Sequence, residues 1–220
     1  MNISKETMKF LDDLRNNNSR DWFNKNRQLY DMARADFNRF VEGLIQGTAE
    51  FDPEIEGLSA GDCTFRMNRD VRFSKDKSPY KIELGAIMKP GGKKSPYAGY
   101  YFRVIAGGYM GVGGGIYDMD KKILDAVRNN ISSDASGLRQ ILSNNDFSTA
   151  FGGLYRNELK TSPRGYPGDH PDVDLLRMKS FFVARDLTPE EYGADDLLSV
   201  VLEYFRLIKP LNYYLNSIIV

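Results

Sequence analysis

The chain has 220 residues, of which 41% are hydrophobic and 27% are charged. These values are close to the average of globular domains and argue against a disordered, collagen-like or membrane-spanning chain. Its 30 lysine and arginine residues are balanced by 30 acidic residues, which argues against a histone-like nucleic-acid binder. Cys63 and His170 are the single cysteine and the single histidine, so disulfide scaffolds and cysteine–histidine zinc sites are excluded.

The N-terminal sequence does not resemble a secretory signal, because it has no basic start followed by an apolar stretch. No apolar run in the chain approaches the ~18 residues that a membrane span needs. With no disulfide to form, a reducing cytoplasm is the expected location.

Helical periodicity dominates residues 1–46. The spacing of apolar residues predicts a short helix from Ser4 that ends in an asparagine-rich turn at residues 16–18. Over residues 22–44 the helical period predicts one long helix with one buried face. These two helices form a predicted pair ahead of a turn-rich segment at residues 47–61.

Residues 62–117 change to a pattern in which apolar and polar side chains alternate. This period is typical of half-buried strands, and the short connections predict antiparallel pairing. A hairpin turn is predicted at Gly107 and Gly108. The glycine-rich end of this part lacks the spacing of a dinucleotide-binding loop and instead predicts a strand with close backbone packing. The predicted strands are residues 63–74, 81–88, 97–106 and 109–117.

Residues 118–220 predict helices and one further strand at residues 179–185. Thr188 and Glu191 have the spacing of a capping box, with proline at the first helical position. Other predicted features are a helix capped by Asp118, a helix beyond Ser133, a loop over residues 160–172 that leads into a short helix at Pro171, and a core-facing helix from Leu197 that breaks at Pro210.

These elements predict an α+β fold in a single domain, residues 1–220. We expect a central, mainly antiparallel sheet with the N-terminal helical pair and the C-terminal helices packed on it. The strands and helices do not alternate along the chain, which argues against a Rossmann fold.

Positive charge is concentrated in one stretch of this neutral chain, since nine basic residues stand against three acidic ones between residues 66 and 94. Arg69 falls on the apolar face of the strand predicted there. A guanidinium keeps its charge, so a buried one needs an acid or a bound anion. Two interpretations stay open: an ion pair with an acid such as Asp21 or Glu158, or an arginine at the floor of an anion-binding cleft.

Arg66, Asp70 and Arg72 share the opposite face of the same predicted strand. Asp70 would hold the two arginines in place, and it is also a candidate catalytic base. Lys77 and Lys81 flank the following turn, and flexible lysines beside rigid arginines suit a phosphate or carboxylate ligand. A solvated charged turn is the simpler interpretation of the same residues.

The segment RMNRDVRFSKDKSPYK, residues 66–81, resembles the signature RxxRDxRFxxDKxPYK of a bacterial family known as domain of unknown function 2461. Further similarity lies at Trp22 and Phe23, at Tyr100 and at His170. The resemblance implies a single-domain bacterial protein of about this size. The family is not tied to an activity, so the resemblance implies no catalytic residue.

A second basic segment, residues 160–172, adds Lys160, Arg164 and His170. If this loop lies over the arginine-bearing face of the sheet, the two segments enclose a cationic pocket with one imidazole. His170 precedes a predicted helix start, where anions are favoured. It is a candidate acid–base residue, and the simpler interpretation is a cap or packing residue.

The preferred hypothesis is a protein that binds a phosphorylated or carboxylated ligand in a cleft lined by arginine and lysine. The candidate ligand-binding residues are Arg66, Arg69, Arg72, Lys77, Lys81, Lys160 and Arg164. One alternative is a hydrolase, with or without a metal ion, that uses the same cleft with Asp70 or His170 as base. Another is a module that binds nucleic acid or an acidic protein, since tyrosines near the basic residues can stack on bases. We predict no cofactor, no metal ligand and no membrane partner, and the oligomeric state stays open.

Overall fold

The computed structural model describes residues 1–219, and within them the chain forms a four-stranded antiparallel sheet in the order β1-β2-β3-β4. The hairpin predicted at Gly107 and Gly108 is confirmed. Both glycines have a positive φ, 96° and 80°, which is the left-handed backbone that tight hairpin turns use. The strands are β1 (Glu83–Met88), β2 (Gly99–Ile105), β3 (Tyr109–Ile116) and β4 (Phe181–Asp186).

Helices lie on both sides of the strands in the sequence, as predicted. The Ser4 side chain accepts a hydrogen bond from the Thr7 backbone and begins the first helix, and the predicted capping box of Thr188 and Glu191 is present. None of the helices described combines the length and apolarity that crossing a membrane requires. The helices are α1 (Lys5–Asn16), α2 (Arg20–Lys25), α3 (Arg27–Ala49), α4 (Ala60–Cys63), α5 (Lys121–Ser133), α6 (Ser136–Ser143), α7 (Asn145–Phe151), α8 (Val173–Leu176), α9 (Pro189–Tyr192) and α10 (Leu197–Ile219).

The sheet has an inner and an outer face, because successive side chains of a strand point to opposite sides. Leu84 and Phe102 point to the inner face and are fully buried. Phe40 of α3 packs there, with its ring centroid 5.0 Å from that of Phe102. Tyr101 and Arg103 point to the outer face and stay partly exposed. The predicted α+β class, with helices packed on an antiparallel sheet, is confirmed.

Helix α10 lies directly on β3 because Gly114 has no side chain. A Cβ atom added there would clash with Ile208 of the helix and would lie 2.8 Å from the Gly99 carbonyl oxygen. Asn212 of α10 accepts a hydrogen bond from the Gly115 backbone at 2.9 Å, so the helix also satisfies a buried backbone donor of the sheet. The close backbone packing predicted for this strand is confirmed.

The strand predicted at residues 63–74 is wrong. Its first residue ends α4, and two isolated bridges follow, Thr64 with Ala86 and Asn68 with Tyr80. The chain leaves the sheet edge because it pairs with its own continuation in a hairpin. An alternating sequence pattern is equally compatible with pairing to a strand of the sheet and with pairing inside a hairpin.

Two predicted helix boundaries are also wrong. Residues 22–44 belong to two helices, α2 and α3, which are separated at Asn26. The side-chain amide of Asn26 donates to the Trp22 carbonyl at 2.9 Å and ends α2 there. Helix α5 is capped by Asp120, which accepts from the Ile123 backbone at 2.9 Å, and not by the predicted Asp118.

At the C-terminal end, α10 continues through Pro210, where a break was predicted. Proline has no N–H to donate to the carbonyl of Arg206, and both residues are exposed, which leaves that carbonyl to solvent. Helix α8 begins two residues after the predicted start at Pro171. The strand predicted at residues 179–185 is confirmed as β4.

Replacing Gly114 by alanine tests the close approach of α10 to β3. Overpacking of a filled interior costs about 1–3 kcal/mol, so Gly114→Ala lowers the midpoint of urea unfolding. Gly168→Ala is the matched control, because nothing lies within 4 Å of a Cβ added at Gly168, and we expect little change. Equal midpoints for the two variants would contradict the packing described here.

Candidate anion-binding cleft

The basic segment forms a hairpin whose second arm leads directly into β1, at one edge of the sheet. The Lys81 backbone donates to the Met67 carbonyl at 2.8 Å, and the Arg69 backbone donates to the Pro79 carbonyl at 2.9 Å. We call residues 67–81 the basic hairpin. Between its two short arms the loop carries most of the charged side chains.

The basic hairpin is attached to the N-terminal helices by Tyr80. The Asn18 side chain donates to the Tyr80 carbonyl at 3.0 Å and accepts from the Tyr80 backbone N–H at 3.1 Å. The Tyr80 ring stacks on Phe23 of α2, with ring centroids 4.0 Å apart and planes 16° apart. These contacts fix the base of the hairpin against the turn between α1 and α2.

Arg69 is paired within its own hairpin. One guanidinium nitrogen, Nη1, pairs with Asp76 and also donates to the Ser78 carbonyl at 3.2 Å. Its side chain is 26% exposed, against 77% for Arg72. The predicted internal ion pair is therefore present, but its acid is Asp76 and not one of the helix acids named from the sequence.

Asp76 is held in its charged form by these contacts. The Ser78 hydroxyl and backbone N–H both donate to it, at 2.7 and 2.9 Å. These two hydrogen bonds, followed by Arg69, lower the pKa of Asp76 from its ordinary 3.8 to about 2. The loop therefore keeps a rigid, ionised pair at neutral pH.

A cavity of about 360 Å³ opens between α1 and the basic hairpin, within the size range of roughly 300–1,000 Å³ typical of small-molecule sites. We call it the cationic cleft. Its cations are Arg15, Arg69 and Lys81, and its acids are Asp76 and Glu83. The other lining residues are Asn18, Ser78, Tyr80 and Ile82.

The cations of the cationic cleft differ in their partners. Arg15 pairs with Asp12 at 3.1 Å. The Lys81 ammonium lies 5.4 Å from the centre of the Phe65 ring and makes no ion pair within residues 1–219. Lys81 is thus the cation whose charge stays available to a ligand, while Arg69 is the cation with the most fixed position.

The remaining basic residues of the first segment do not line the cationic cleft. Arg66 is exposed, and Arg72 forms a two-pronged pair with Asp70 at 3.0 and 2.7 Å. This arginine lowers the pKa of Asp70. Lys77 donates to the Val71 carbonyl at 3.0 Å. The predicted strand face shared by Arg66, Asp70 and Arg72 does not exist, because the loop is not a strand.

The second basic segment lies near the other edge of the sheet. His170 Nδ1 accepts from the Asp172 backbone at 3.0 Å, and Nε2 lies 3.4 Å from Ser132 Oγ of α5. Lys160 and Arg164 are exposed.

The sequence suggested that both basic segments enclose a single pocket. The structure does not bring the two segments together, so this prediction is wrong. The first segment flanks β1 and the second leads into β4, and these strands form opposite edges of the sheet. Three strand spacings, about 14 Å, separate them.

Of the residues that line the cationic cleft, the sequence predicted only Arg69 and Lys81 as ligand contacts, and it gave no sign of the two that come from outside the basic segment, Arg15 and Asn18. Both were part of a predicted helix end and turn, and neither carries a local signal of ligand binding. Their role comes from tertiary packing alone. In residues 1–219 no group of three or more His, Cys, Asp or Glu side chains is arranged to hold a metal ion.

A family model described as "Conserved hypothetical protein (DUF2461)" matches residues 6–214. The chain belongs to the DUF2461 family. This confirms the family suggested by the sequence resemblance. No curated protein and no solved structure matches the chain. The DUF2461 match contains every residue of the cationic cleft, and the description of the family names no reaction.

Asn18→Ala tests the attachment of the basic hairpin. The change leaves the Tyr80 N–H and carbonyl without their partner, and an unsatisfied, partly buried polar group costs about 1–3 kcal/mol. We expect a lower free energy of urea unfolding and faster amide exchange at Tyr80. Asn16→Ala, in the exposed last turn of α1, is the control. Unchanged exchange at Tyr80 in the Asn18 variant would refute the attachment.

The pKa of Asp76 provides a second test in this DUF2461 protein. Because the pKa of the folded state lies below the ordinary value, the contacts of Asp76 stabilise the fold above about pH 4 and are lost as the pH falls through about 2. In an NMR titration of the carboxyl carbon, Ser78→Ala should raise this pKa more than Arg69→Gln does. A larger rise in the Arg69 variant would show that Arg69, and not Ser78, contributes most to the lowered pKa of Asp76.

Proposed function

We propose that the protein binds a small phosphorylated or carboxylated ligand in the cationic cleft. The observation that carries the proposal is that Arg69 and Lys81 line one cavity of ligand size, and that Lys81 makes no ion pair within residues 1–219. Arg15 adds a third cation from a different element.

The two central cations would act differently on the ligand. Arg69 has five N–H donors, and its Nη1 group is occupied by Asp76 and Ser78. Its Nη2 group donates to the Ser74 hydroxyl over a long 3.4 Å, a contact that an oxyanion can replace, so Nη2 and Nε would give direction to the contact with the ligand. Lys81 would supply a mobile point charge. The ligand would therefore be oriented by a group that is already in place, which lowers the entropy cost of binding.

The acids of the cationic cleft limit the affinity. Asp76 and Glu83 also line the cavity, and like charges repel an anion. We therefore expect tighter binding of ligands with two or more negative charges, which gain more from Lys81 and Arg15, than of a single carboxylate.

A hydrolase remains the alternative function, but no observation favours it over binding. The bases predicted for it, Asp70 and His170, lie outside the cationic cleft, and each already has hydrogen-bond partners. Five other residues predicted as ligand contacts do not line the cleft, and the proposed site does not include them: Arg66, Arg72, Lys77, Lys160 and Arg164.

The reducing cytoplasm stays our prediction for the location. Cys63 is fully buried, and its burial raises the pKa of the thiol to about 12. The thiol is thus kept protonated and away from oxidants, which fits a packing role.

Titration with inorganic pyrophosphate tests the proposal. Loss of a charge-assisted hydrogen bond costs about 1.5–3 kcal/mol, so Arg69→Gln and Lys81→Gln should each weaken binding about tenfold or more in calorimetry. Arg72→Gln removes the same charge outside the cleft and is the matched control, for which we expect a change below about threefold.

Two results would overturn the proposal. One is the absence of heat or chemical-shift change when wild-type protein is titrated with millimolar pyrophosphate. The other is an equal loss of affinity in the Arg69 and Arg72 variants, which would indicate a diffuse surface potential. Circular dichroism of each variant separates loss of binding from loss of folding.

A further inference from the structure

Aromatic side chains cross the outer face of the sheet from one edge to the other. The Tyr101 and Phe182 ring centroids are 6.3 Å apart, those of Phe182 and Tyr117 are 5.8 Å apart, and those of Tyr117 and Tyr155 are 5.9 Å apart. Phe65 continues the series at the β1 edge. We call these five residues the aromatic row.

Phe65 joins the aromatic row above Gly85. A Cβ atom added at Gly85 would lie 3.6 Å from the Phe65 ring and 3.2 Å from the Tyr101 hydroxyl, so both side chains occupy the space left by the glycine. The Phe65 backbone donates to the Gly85 carbonyl at 3.0 Å, and at the opposite edge the Tyr155 backbone donates to the Phe182 carbonyl at 2.7 Å. The row therefore spans the full width of the sheet.

Glycines of β3 keep this face flat. Phe182 lies over Gly113, where a Cβ atom would come within 2.9 Å of the ring. Arg103 and Asp186 pair across Gly111 at 3.0 Å. Side chains from both neighbouring strands thus extend across the glycines of β3, parallel to the sheet.

The aromatic row is open to solvent at its Tyr117 and Tyr155 end, whereas Phe182 within it is buried, with 9% of its surface exposed. Tyr117 is 55% exposed and Tyr155 is 51% exposed, and Tyr101 is partly exposed. Burial, with Glu83 nearby, raises the pKa of the Tyr101 phenol to about 12, so this side chain is uncharged at neutral pH. Exposed rings on a flat sheet are the surfaces on which unpaired bases stack.

The other end of the aromatic row meets the cationic cleft. The Lys81 ammonium lies 5.4 Å from the Phe65 ring centre, and Lys81 lines the cleft together with Arg69. One ligand could therefore place a phosphate in the cleft and planar groups on the row. This juxtaposition of charge and aromatic rings complements a nucleotide chain.

The outer face of the sheet is small for a standard interface with a folded protein, which would have to extend beyond the four strands. Four strands at a spacing of about 4.8 Å, with about six residues each, cover roughly 400 Å². A standard protein interface, including one with a second copy of this chain, buries about 800 Å² on each partner. A segment of a few nucleotides needs no more than the area present.

We propose that the outer face binds a short single-stranded nucleic acid, with a phosphate in the cationic cleft and bases on the aromatic row. This inference rests on the proposed function, because the cleft supplies the phosphate contact. With few cations beside the row, only about one to three phosphates are neutralised, so the affinity falls weakly with added salt.

Fluorescence anisotropy with labelled single-stranded hexathymidylate tests this inference. Stacking contributes about 1–3 kcal/mol per base, so the double variant Tyr117→Leu/Tyr155→Leu should bind at least tenfold more weakly. Both tyrosines are more than half exposed, so the fold is not at risk. Tyr213→Leu, at a tyrosine of α10 that is 73% exposed, is the control and should bind as wild type does.

Pyrophosphate titration of the same variants separates the two proposals. The double variant should keep the wild-type affinity for pyrophosphate, whereas Arg69→Gln should lose both ligands. Binding of pyrophosphate without hexathymidylate would overturn this inference and leave the proposed function intact. Binding of neither would overturn both.

Two further outcomes would also overturn the inference. Equal hexathymidylate binding by the wild type and the double tyrosine variant would show that the row is not the platform. A dimer in sedimentation analysis that disappears in the double variant would assign the aromatic row to self-association.

Discussion

The pair of hydrogen bonds between the Asn18 side chain and the Tyr80 backbone determines where the basic hairpin lies. With the Tyr80 ring stacked on Phe23, these contacts contribute about 2–4 kcal/mol by ordinary values. They join an exposed, charged loop to the N-terminal helices. Arg15, on the helix, and Arg69, in the hairpin, line the same cavity beside this junction. The cationic cleft is therefore a product of tertiary contact between two segments, each unremarkable by itself.

The two faces of the sheet differ in what covers them. On the inner face, α3 and α10 seal the core, and Gly114 lets α10 approach the strand closely. On the outer face, other glycines of the same strand, Gly111 and Gly113, let neighbouring side chains lie flat and leave rings accessible. The glycines of one strand thus admit a helix on one side and neighbouring side chains on the other. The sequence alone shows that β3 needs close packing, but not on which face.

The sequence predicted the features that depend on local chemistry. The helix start at Ser4, the turn at Gly107 and Gly108 and the last strand all follow from caps, turn residues and periodicity, and all are confirmed. The prediction of a strand at residues 63–74 was wrong because alternating apolar and polar residues do not distinguish a strand of the sheet from an arm of a separate hairpin. The candidate site was predicted only in part: Arg69 and Lys81 line the cleft, while the second basic segment, residues 160–172, lies near the opposite edge of the sheet.

We propose that the anchored hairpin holds Arg69 and Lys81 at one anion site. Crystals grown in selenate test it most directly, because the anomalous signal of selenium locates the anion. The account predicts an ordered selenate within about 3 Å of nitrogen atoms of both residues, with the Asn18–Tyr80 hydrogen bonds intact. Selenate bound only at exposed cations such as Arg72 or Arg164, with the cleft empty, would contradict it.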